Sequence, residues 1–328
     1  MSLVSIVVPV YHNAKSLPEL AERLAALAER NRGDAFEFVF VDDGSRDDSF
    51  EVLQRLLAED ERVRIVKLSR NFGSTPAIIA GLHAASGDAV AAIAADLQDS
   101  PELIHDMLAR WREGNKVVLA VRTGRDDPGL TTLLSSIFYK LFRRFAIASM
   151  PPGGFDFFLV DRQVCNLICS IGETNTYVMG LILWLGFQPV QLPYHRGPRL
   201  ARYGRSMWNL SRRLKYFIDS FVAFSYFPVR IASVLGLVLS LLGFLYALLV
   251  IGLRIIEGYQ PEGWASLMVV VLVVSGVQLF IMGILGEYLW RTLDVARRRP
   301  QFIVERTLGF GAAEREAATA GGRSVKGS

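Results

Sequence analysis

The chain has 328 residues, enough for one sizeable folded core with length to spare. Half of its residues are hydrophobic (51%) and its mean hydropathy is +0.30, a balance that excludes an ordinary soluble domain and calls for a search for membrane spans. The net charge of +4 is mild, and the basic residues gather beside apolar segments, which points to lipid headgroups rather than nucleic acid.

The first strand pattern is Val4 to Val10, a β-branched run too apolar for a strand exposed on one side. Ser16 to Arg30 carries leucines and alanines at helical spacing, Phe36 to Val41 is a second strand and Ser49 to Ala58 a second helix. Val63 to Leu68, Ala89 to Ala95 and Lys116 to Val121 read as strands, with helices at Pro76 to Ala85 and Pro101 to Trp111 between them. Strand–helix alternation of this kind predicts an α/β fold, a mostly parallel sheet covered by helices on both faces. Ligands of such sheets bind beyond the carboxyl ends of the strands. The strand pattern starts directly at the N-terminus, so no signal peptide is expected and this domain is expected to stay in the cytoplasm. Cys165 and Cys169, without further cysteines or an adjacent His, read as buried thiols rather than metal ligands.

The later chain differs. Residues 231–253 and 264–286 contain no charge, and each has about the ~20 residues a spanning helix needs. The connection 254–263 holds Gly258 and Pro261, so the two form a hairpin. Arg212, Arg213, Lys215 and Arg230 precede it and Arg291 and Arg297 to Arg299 follow it, whereas the connection has only Arg254. The positive-inside rule places both ends in the cytoplasm. Residues 209–230 carry Leu210, Leu214, Phe217, Ile218, Phe221 and Phe224 on one helical face, the pattern of an amphipathic helix in the membrane interface or packed on the preceding domain. The expected organisation is a catalytic domain at 1–208, this juxtamembrane segment, the hairpin, and a basic cytoplasmic tail at 287–328, disordered after about 306.

Three acidic clusters follow strands or lie in apolar surroundings. Asp42-Asp43-Gly44-Ser45 ends the second strand, where a carboxylate can accept hydrogen bonds from a nucleobase or ribose, although the same residues are common turn chemistry. Asp96-Leu97-Gln98-Asp99 follows the fourth strand, and oxygen ligands on a short loop suit Mg²⁺ or Mn²⁺. Asp156 lies between Phe155 and Phe157, and an acid in so apolar a stretch is either functional or held by a structural partner.

In order along the first 300 or so residues, Ser5-Ile-Val-Val-Pro-Val-Tyr11, Asp42 to Ser45, Ser69-Arg-Asn-Phe-Gly73, Ala80-Gly81-Leu82, Gly87-Asp88, Asp96 to Asp99, Phe155-Asp156, Asp161-Arg162, Gly204-Arg-Ser206 with Trp208, and Gly286-Glu-Tyr-Leu289 resemble the family 2 glycosyltransferases of GT-A fold. The resemblance is to the polyprenyl-phosphate branch, which includes dolichol-phosphate mannose synthase and bacterial undecaprenyl-phosphate sugar transferases. It implies an inverting enzyme of the inner or plasma membrane that moves a sugar from a nucleotide-sugar, with uridine diphosphate donors preferred, to a polyprenyl phosphate. It implies that Pro9, Tyr11, Asp42 and Arg70 hold the nucleotide, that Asp96 and Gln98 hold the metal (Mg²⁺ or Mn²⁺) and diphosphate, with Asp96 so serving both donor binding and catalysis, and that Asp156 matches the carboxylate proposed as catalytic base. Arg199, Arg202 and Ser206 match the segment expected to close over phosphates. Oligomerisation through the spans is also expected, with Gly236, Gly243, Gly276 and Gly283 as hints.

Three positions depart from the family pattern. Ala94 stands where the first carboxylate of an Asp-x-Asp motif is common, Phe158 where an arginine is common, and Met207 where a lysine is common. They support an alternative reading, a catalytically degenerate membrane scaffold or regulator. A processive polysaccharide synthase is disfavoured because its Gln-x-x-Arg-Trp motif is missing from the sequence. Arg122 and Arg125, ending the fifth strand, are further candidates for a phosphate contact, and Trp184 and Phe187 read as core.

Overall fold

The protein is described by a computed structural model, over residues 1–122, 140, 143–144, 147–151, 154–173, 177–195, 227–257 and 263–311. It divides into two compact units, Met1–Ala223 with Arg299–Ser328, and Phe224–Arg298. Residues 209–226 of the expected amphipathic segment, with Arg125, Arg199, Arg202, Ser206 and Met207, lie outside the described residues, and 227–230 open the first apolar helix instead.

The first unit is built on an eight-stranded sheet. Its strands are β1 (Leu3–Val10), β2 (Ala35–Asp42), β3 (Val63–Leu68), β4 (Ala89–Ala92), β5 (Val117–Arg122), β6 (Phe157–Asp161), β7 (Val190–Tyr194) and β8 (Val304–Leu308), in the order β7-β5-β6-β4-β1-β2-β3-β8. Only β6 and β8 run antiparallel to their neighbours, so the mostly parallel sheet expected from the sequence is the one formed. The helices of this unit are α1 (Leu17–Arg30), α2 (Ser49–Glu59), α3 (Ser74–Ala84), α4 (Leu103–Arg112), α5 (Arg162–Ser170) and α6 (Val178–Trp184).

Burial on both sheet faces explains the unbroken apolar runs. Val4, Ile6, Val8 and Val10 of β1 join one core with Leu17, Leu20 and Leu24 of α1 and Ile104, Met107 and Leu108 of α4. Val7 points to the other face and meets α3, where a Cβ on Gly81 would lie 2.2 Å from Val7 Cγ1. The Ala-Gly-Leu stretch therefore serves close helix–sheet packing. Gly87-Asp88 is structural too: a Cβ on Gly87 would lie 2.6 Å from the Ser5 nitrogen, and Asp88 accepts from the Leu3 N–H at 2.9 Å. Cys165 is buried on α5, while Cys169 is only half-buried.

Three readings need correction. The fourth strand stops at Ala92 rather than Ala95: past the Ile93 N–H the chain leaves strand pairing while Ala95 stays buried, and the Ala95 carbonyl accepts from the Ser16 hydroxyl at 2.7 Å. Trp184 is 65% exposed instead of core. The basic tail is not merely a tail: β8 pairs with β3, and Phe302 and Phe310 are buried, so order extends past residue 306. The charges of Val304-Glu-Arg-Thr-Leu308 mask its strand pattern, and an edge strand tolerates them. Nothing local announces β6 or β7 either, since each is five residues long and gains its place only by pairing.

The second unit consists of α7 (Phe227–Glu257) and α8 (Trp264–Ala296), which pack on one another. Val229–Gly252 and Leu267–Ala296 are long and apolar enough to cross a membrane, by length and composition. Gly236 faces Ile281 of α8 at 4.0 Å, whereas Gly243, Gly276 and Gly283 face open space.

Candidate active site

Parallel strands send their carboxyl ends to one edge of the sheet, and the candidate residues sit there. Pro9 and Tyr11 end β1, Asp42 ends β2, Arg70 follows β3, Asp96 and Gln98 follow β4, Arg122 ends β5 and Tyr194 ends β7. The antiparallel β6 begins at the same edge, which brings Asp156 there.

On the β1–β3 side, the loops are shaped by backbone hydrogen bonds. Asp42 is 0% exposed; its Oδ1 accepts from the Ser45 N–H at 3.1 Å, and its buried Oδ2 has no hydrogen-bond partner among the described residues. Burial raises its pKa, opposed by the bonds from Ser45. Asp43 accepts from the N–H groups of Phe72 (2.7 Å) and Gly73 (2.9 Å), so both its oxygens hold the loop that carries Arg70. Burial pushes this carboxyl up to about 6 against the pull of those N–H groups. Gly44 is required for this approach: its φ is +66°, and a Cβ would sit 2.5 Å from the Arg70 carbonyl carbon.

Arg70 lies over the Phe72 ring at 3.9 Å, a cation–π contact that fixes its stem. Tyr11 stacks on His12 with centroids 4.2 Å apart, and His12 adopts φ 56°. The His12 N–H donates to Ser45 Oγ at 3.2 Å and its Nε2 accepts from the Arg46 N–H at 3.2 Å, tying the β1 loop to the β2 loop. One face of Tyr11 is thus covered by His12.

On the β4–β7 side, side chains bind one another. Leu97 is held at φ 57°, a conformation uncommon for a leucine, which turns Asp96 and Gln98 out of the strand line. Asp96 Oδ1 accepts from the Gln98 N–H at 3.2 Å. Asp99, fully buried, accepts from the Tyr194 hydroxyl. Arg122, register partner of Tyr194 on the neighbouring strand, donates to Asp156. Its side chain is 6% exposed while that of Asp156 is 43% exposed, so the pair presents a carboxylate backed by a buried cation. Burial works against the charge of Arg122, but Asp156, Tyr194 and Asp99 outweigh it and hold its pKa above the ordinary value.

The structure therefore brings together Pro9, Tyr11, Asp42, Arg70, Asp96, Gln98 and Asp156 at one edge. Sequence reasoning does not single out Asp43, Asp99 or Tyr194, although the second carboxylates of Asp42-Asp43 and of Asp96 to Asp99 are visible signals. Phe158 is fully buried between β4 and β5, so the guanidinium beside Asp156 is that of Arg122. Among the described residues no group of three or more His, Cys, Asp or Glu could hold a metal. One carboxylate and one amide oxygen, Asp96 and Gln98, fit a hard cation that takes its other ligands from diphosphate and water.

Known proteins similar to this chain identify its family. Residues 5–167 match the family model for glycosyl transferase family 2. The chain is 40% identical over 307 residues to the glycosyltransferase YkcC of Bacillus subtilis, covering 93% of this chain and 94% of that one. It is 33% identical over 309 residues to the bactoprenol glucosyl transferase of Shigella phage SfII, covering 93% of this chain and 98% of that one. Among solved structures, mannosyl-3-phosphoglycerate synthase from Rubrobacter xylanophilus is similar at 23% identity and a TM-score of 0.48, over 66% of this chain and 71% of that one. With similarity to named relatives running nearly end to end, the chain belongs to glycosyl transferase family 2, and its first unit is the GT-A-type catalytic domain of a glycosyltransferase.

Proposed function

We propose that this glycosyltransferase moves a sugar from a nucleotide-sugar to a polyprenyl phosphate at the cytoplasmic face of a membrane, with inversion at the anomeric carbon. The observation that carries the reading is the convergence on one sheet edge of three elements. These are a buried carboxylate with an unpartnered oxygen (Asp42), a loop with oxygen donors (Asp96, Gln98) and a cation-backed carboxylate (Arg122–Asp156). The phage relative, named a bactoprenol glucosyl transferase, supports the lipid acceptor.

In this reading the Asp42 oxygen accepts from a ribose hydroxyl of the donor or from the base, where an imide N–H contact favours uridine diphosphate sugars, and Pro9, Tyr11 and Arg70 complete that pocket. Asp96 and Gln98 hold Mg²⁺ or Mn²⁺, which when bound stabilises negative charge on the diphosphate. Arg199, Arg202 and Ser206 contribute to the phosphate contacts. An acceptor phosphate oxygen attacks the anomeric carbon, the bond to the diphosphate breaks, and the nucleoside diphosphate leaves with the electron pair. A phosphate with second pKa of roughly 6 is already largely dianionic at neutral pH, so no base is needed. Asp156, ion-paired to Arg122, places the reacting groups instead.

The membrane role rests on connectivity. β8 pairs with β3, so the chain that leaves the catalytic unit through α7 returns to it after α8. Two crossings satisfy that requirement, and the Lys and Arg distribution supports a cytoplasmic location for the shared side.

The test is transfer from a panel of radiolabelled nucleotide-sugars to undecaprenyl phosphate, with Mg²⁺ or Mn²⁺ and with EDTA, beside Asp96→Ala. A metal-dependent, Asp96-dependent lipid product is expected. No product from any donor with folded protein overturns the reading and favours the scaffold alternative, for which Ala94 is the specific observation. A pH–rate profile governed by a pKa that vanishes in Asp156→Asn would instead make Asp156 a base.

A further inference from the structure

The four side chains Asp99, Tyr194, Arg122 and Asp156 come from two strand ends and two loops, and line up as one polar series through the otherwise apolar β4–β7 side. Tyr194 is its middle. The phenol has one proton to donate and lone pairs to accept with; here it donates to Asp99 and stands in register beside Arg122 on the neighbouring strand. Asp99 is three residues from Asp96 and one from Gln98, and being fully buried it is the fixed end of that loop. Arg122 in turn bonds Asp156. Strand pairing alone sets the register of Arg122 against Tyr194, but it does not reach the loop after β4, which lies beyond the last paired residue Ala92. The hydroxyl of Tyr194 makes that connection.

We propose that Tyr194 is a positioning residue whose hydroxyl ties the loop bearing Asp96 and Gln98 to the Arg122–Asp156 pair. It holds the diphosphate-binding and acceptor-facing halves of the site at one spacing. The proposal rests on the transferase reading above. In an in-line displacement the leaving diphosphate and the attacking phosphate oxygen lie on opposite sides of the anomeric carbon, so their separation must be fixed for the reaction to proceed. A link between the two halves therefore acts chiefly on the rate of transfer and leaves the nucleotide contacts at Asp42, on the β1–β3 side of the same edge, unchanged. The phenol stays protonated and so keeps its donor proton, because burial and the charge of Asp99 raise its pKa against the pull of Arg122.

The experiment uses the full-length protein in lipid nanodiscs, with wild type, Tyr194→Phe, Asp99→Asn and the double variant. Tyr194→Phe keeps the ring and removes only the hydroxyl. Expected are a fall in kcat of about ten- to a hundredfold, the scale of one charge-assisted hydrogen bond, with donor KM and melting temperature close to wild type. Asp99→Asn should also lower kcat, and the double variant should be no worse than about the single Tyr194→Phe, because both cut the same link. A Tyr194→Phe enzyme with kcat within twofold of wild type overturns the proposal. So does a loss confined to melting temperature, which means a structural role only, and so do fully additive losses in the double variant. Should Tyr194→Phe fail to fold, Asp99→Asn decides alone by the same split between kcat and donor KM. Failure of wild type to transfer at all sinks the transferase reading and the proposal with it, whereas active wild type with unaffected variants sinks the proposal alone.

Discussion

The two halves of the site are built by different means. On the β1–β3 side, carboxylates bind backbone N–H groups: Asp42 that of Ser45, Asp43 those of Phe72 and Gly73. On the β4–β7 side, side chains bind side chains across 34 residues for Arg122 and Asp156 and 95 for Tyr194 and Asp99. Backbone donors are fixed wherever the turn forms, so the first half is a rigid cradle with one acceptor left over. The second is a charged network in a buried setting, where each member depends on the others. A cradle suits recognition of a constant group such as a nucleotide, while a network suits setting the spacing of groups that react.

The contrast can be broken most forcefully at Arg122. Arg122→Met removes the buried cation behind Asp156, and should lower kcat/KM by about a hundredfold, the upper scale of losing one charge-assisted hydrogen bond at the site. Steady-state transfer assays measure it, and nucleotide affinity should stay near wild type if the two halves are independent.

The cradle has its own dependence on distant chain. The Ser69 N–H donates to the Ile303 carbonyl at 3.0 Å, Lys67 pairs with Glu305 at 3.2 Å, and Phe302 is fully buried, with His83 beside it. Phe302→Ala should destabilise the catalytic unit by about 3–5 kcal/mol, read from denaturant unfolding. A truncation ending at residue 228 removes β8 as well as α8, so it should bind nucleotide less well than full-length protein. Equal affinity would show the cradle to be independent of the return strand.

A smaller effect is expected at Asp42. Asp42→Asn replaces one acceptor oxygen by a donor, and should weaken nucleotide binding by about ten- to a hundredfold in calorimetry, leaving the acceptor KM unchanged. A loss spread equally over both substrates would mean that the halves are not separable.

The mildest test is pH. The Asp43 carboxyl is pushed up to about 6 by burial from an ordinary 3.8, so between about pH 4 and 6 the folded protein holds a proton that the unfolded chain has released. The stability contributed by this group is therefore present at low pH and lost as pH rises through 6. Function runs the other way: the protonated carboxyl is a poorer acceptor for Phe72 and Gly73, so nucleotide affinity should fall a few-fold as pH drops below about 6. Asp43→Asn should abolish that pH dependence.

The same contrast separates what is legible in the chain from what is not. The β1–β5 strands, the first four helices and the two apolar helices are legible because their signals are local: periodicity, β-branched runs and charge-free stretches. The cradle is half legible, since Asp42-Asp43-Gly44-Ser45 is a contiguous motif, but which carboxylate stays open for a ligand is not. The structure assigns Asp43 to the backbone and leaves an oxygen of Asp42 without a partner among the described residues.

The sequence by itself determined the alternating α/β layout, the hairpin of apolar helices and the types of residue at the strand ends, because short-range periodicity and composition specify these. Only the tertiary structure decided that β6 inserts antiparallel between β4 and β5, that β8 returns to the edge beside β3, and that Arg122, Tyr194 and Asp99 converge behind Asp156. The reason is physical. A five-residue strand carries too little periodicity to name its neighbour, and a buried ion pair has its partner chosen by register and chain path rather than by the residues beside it.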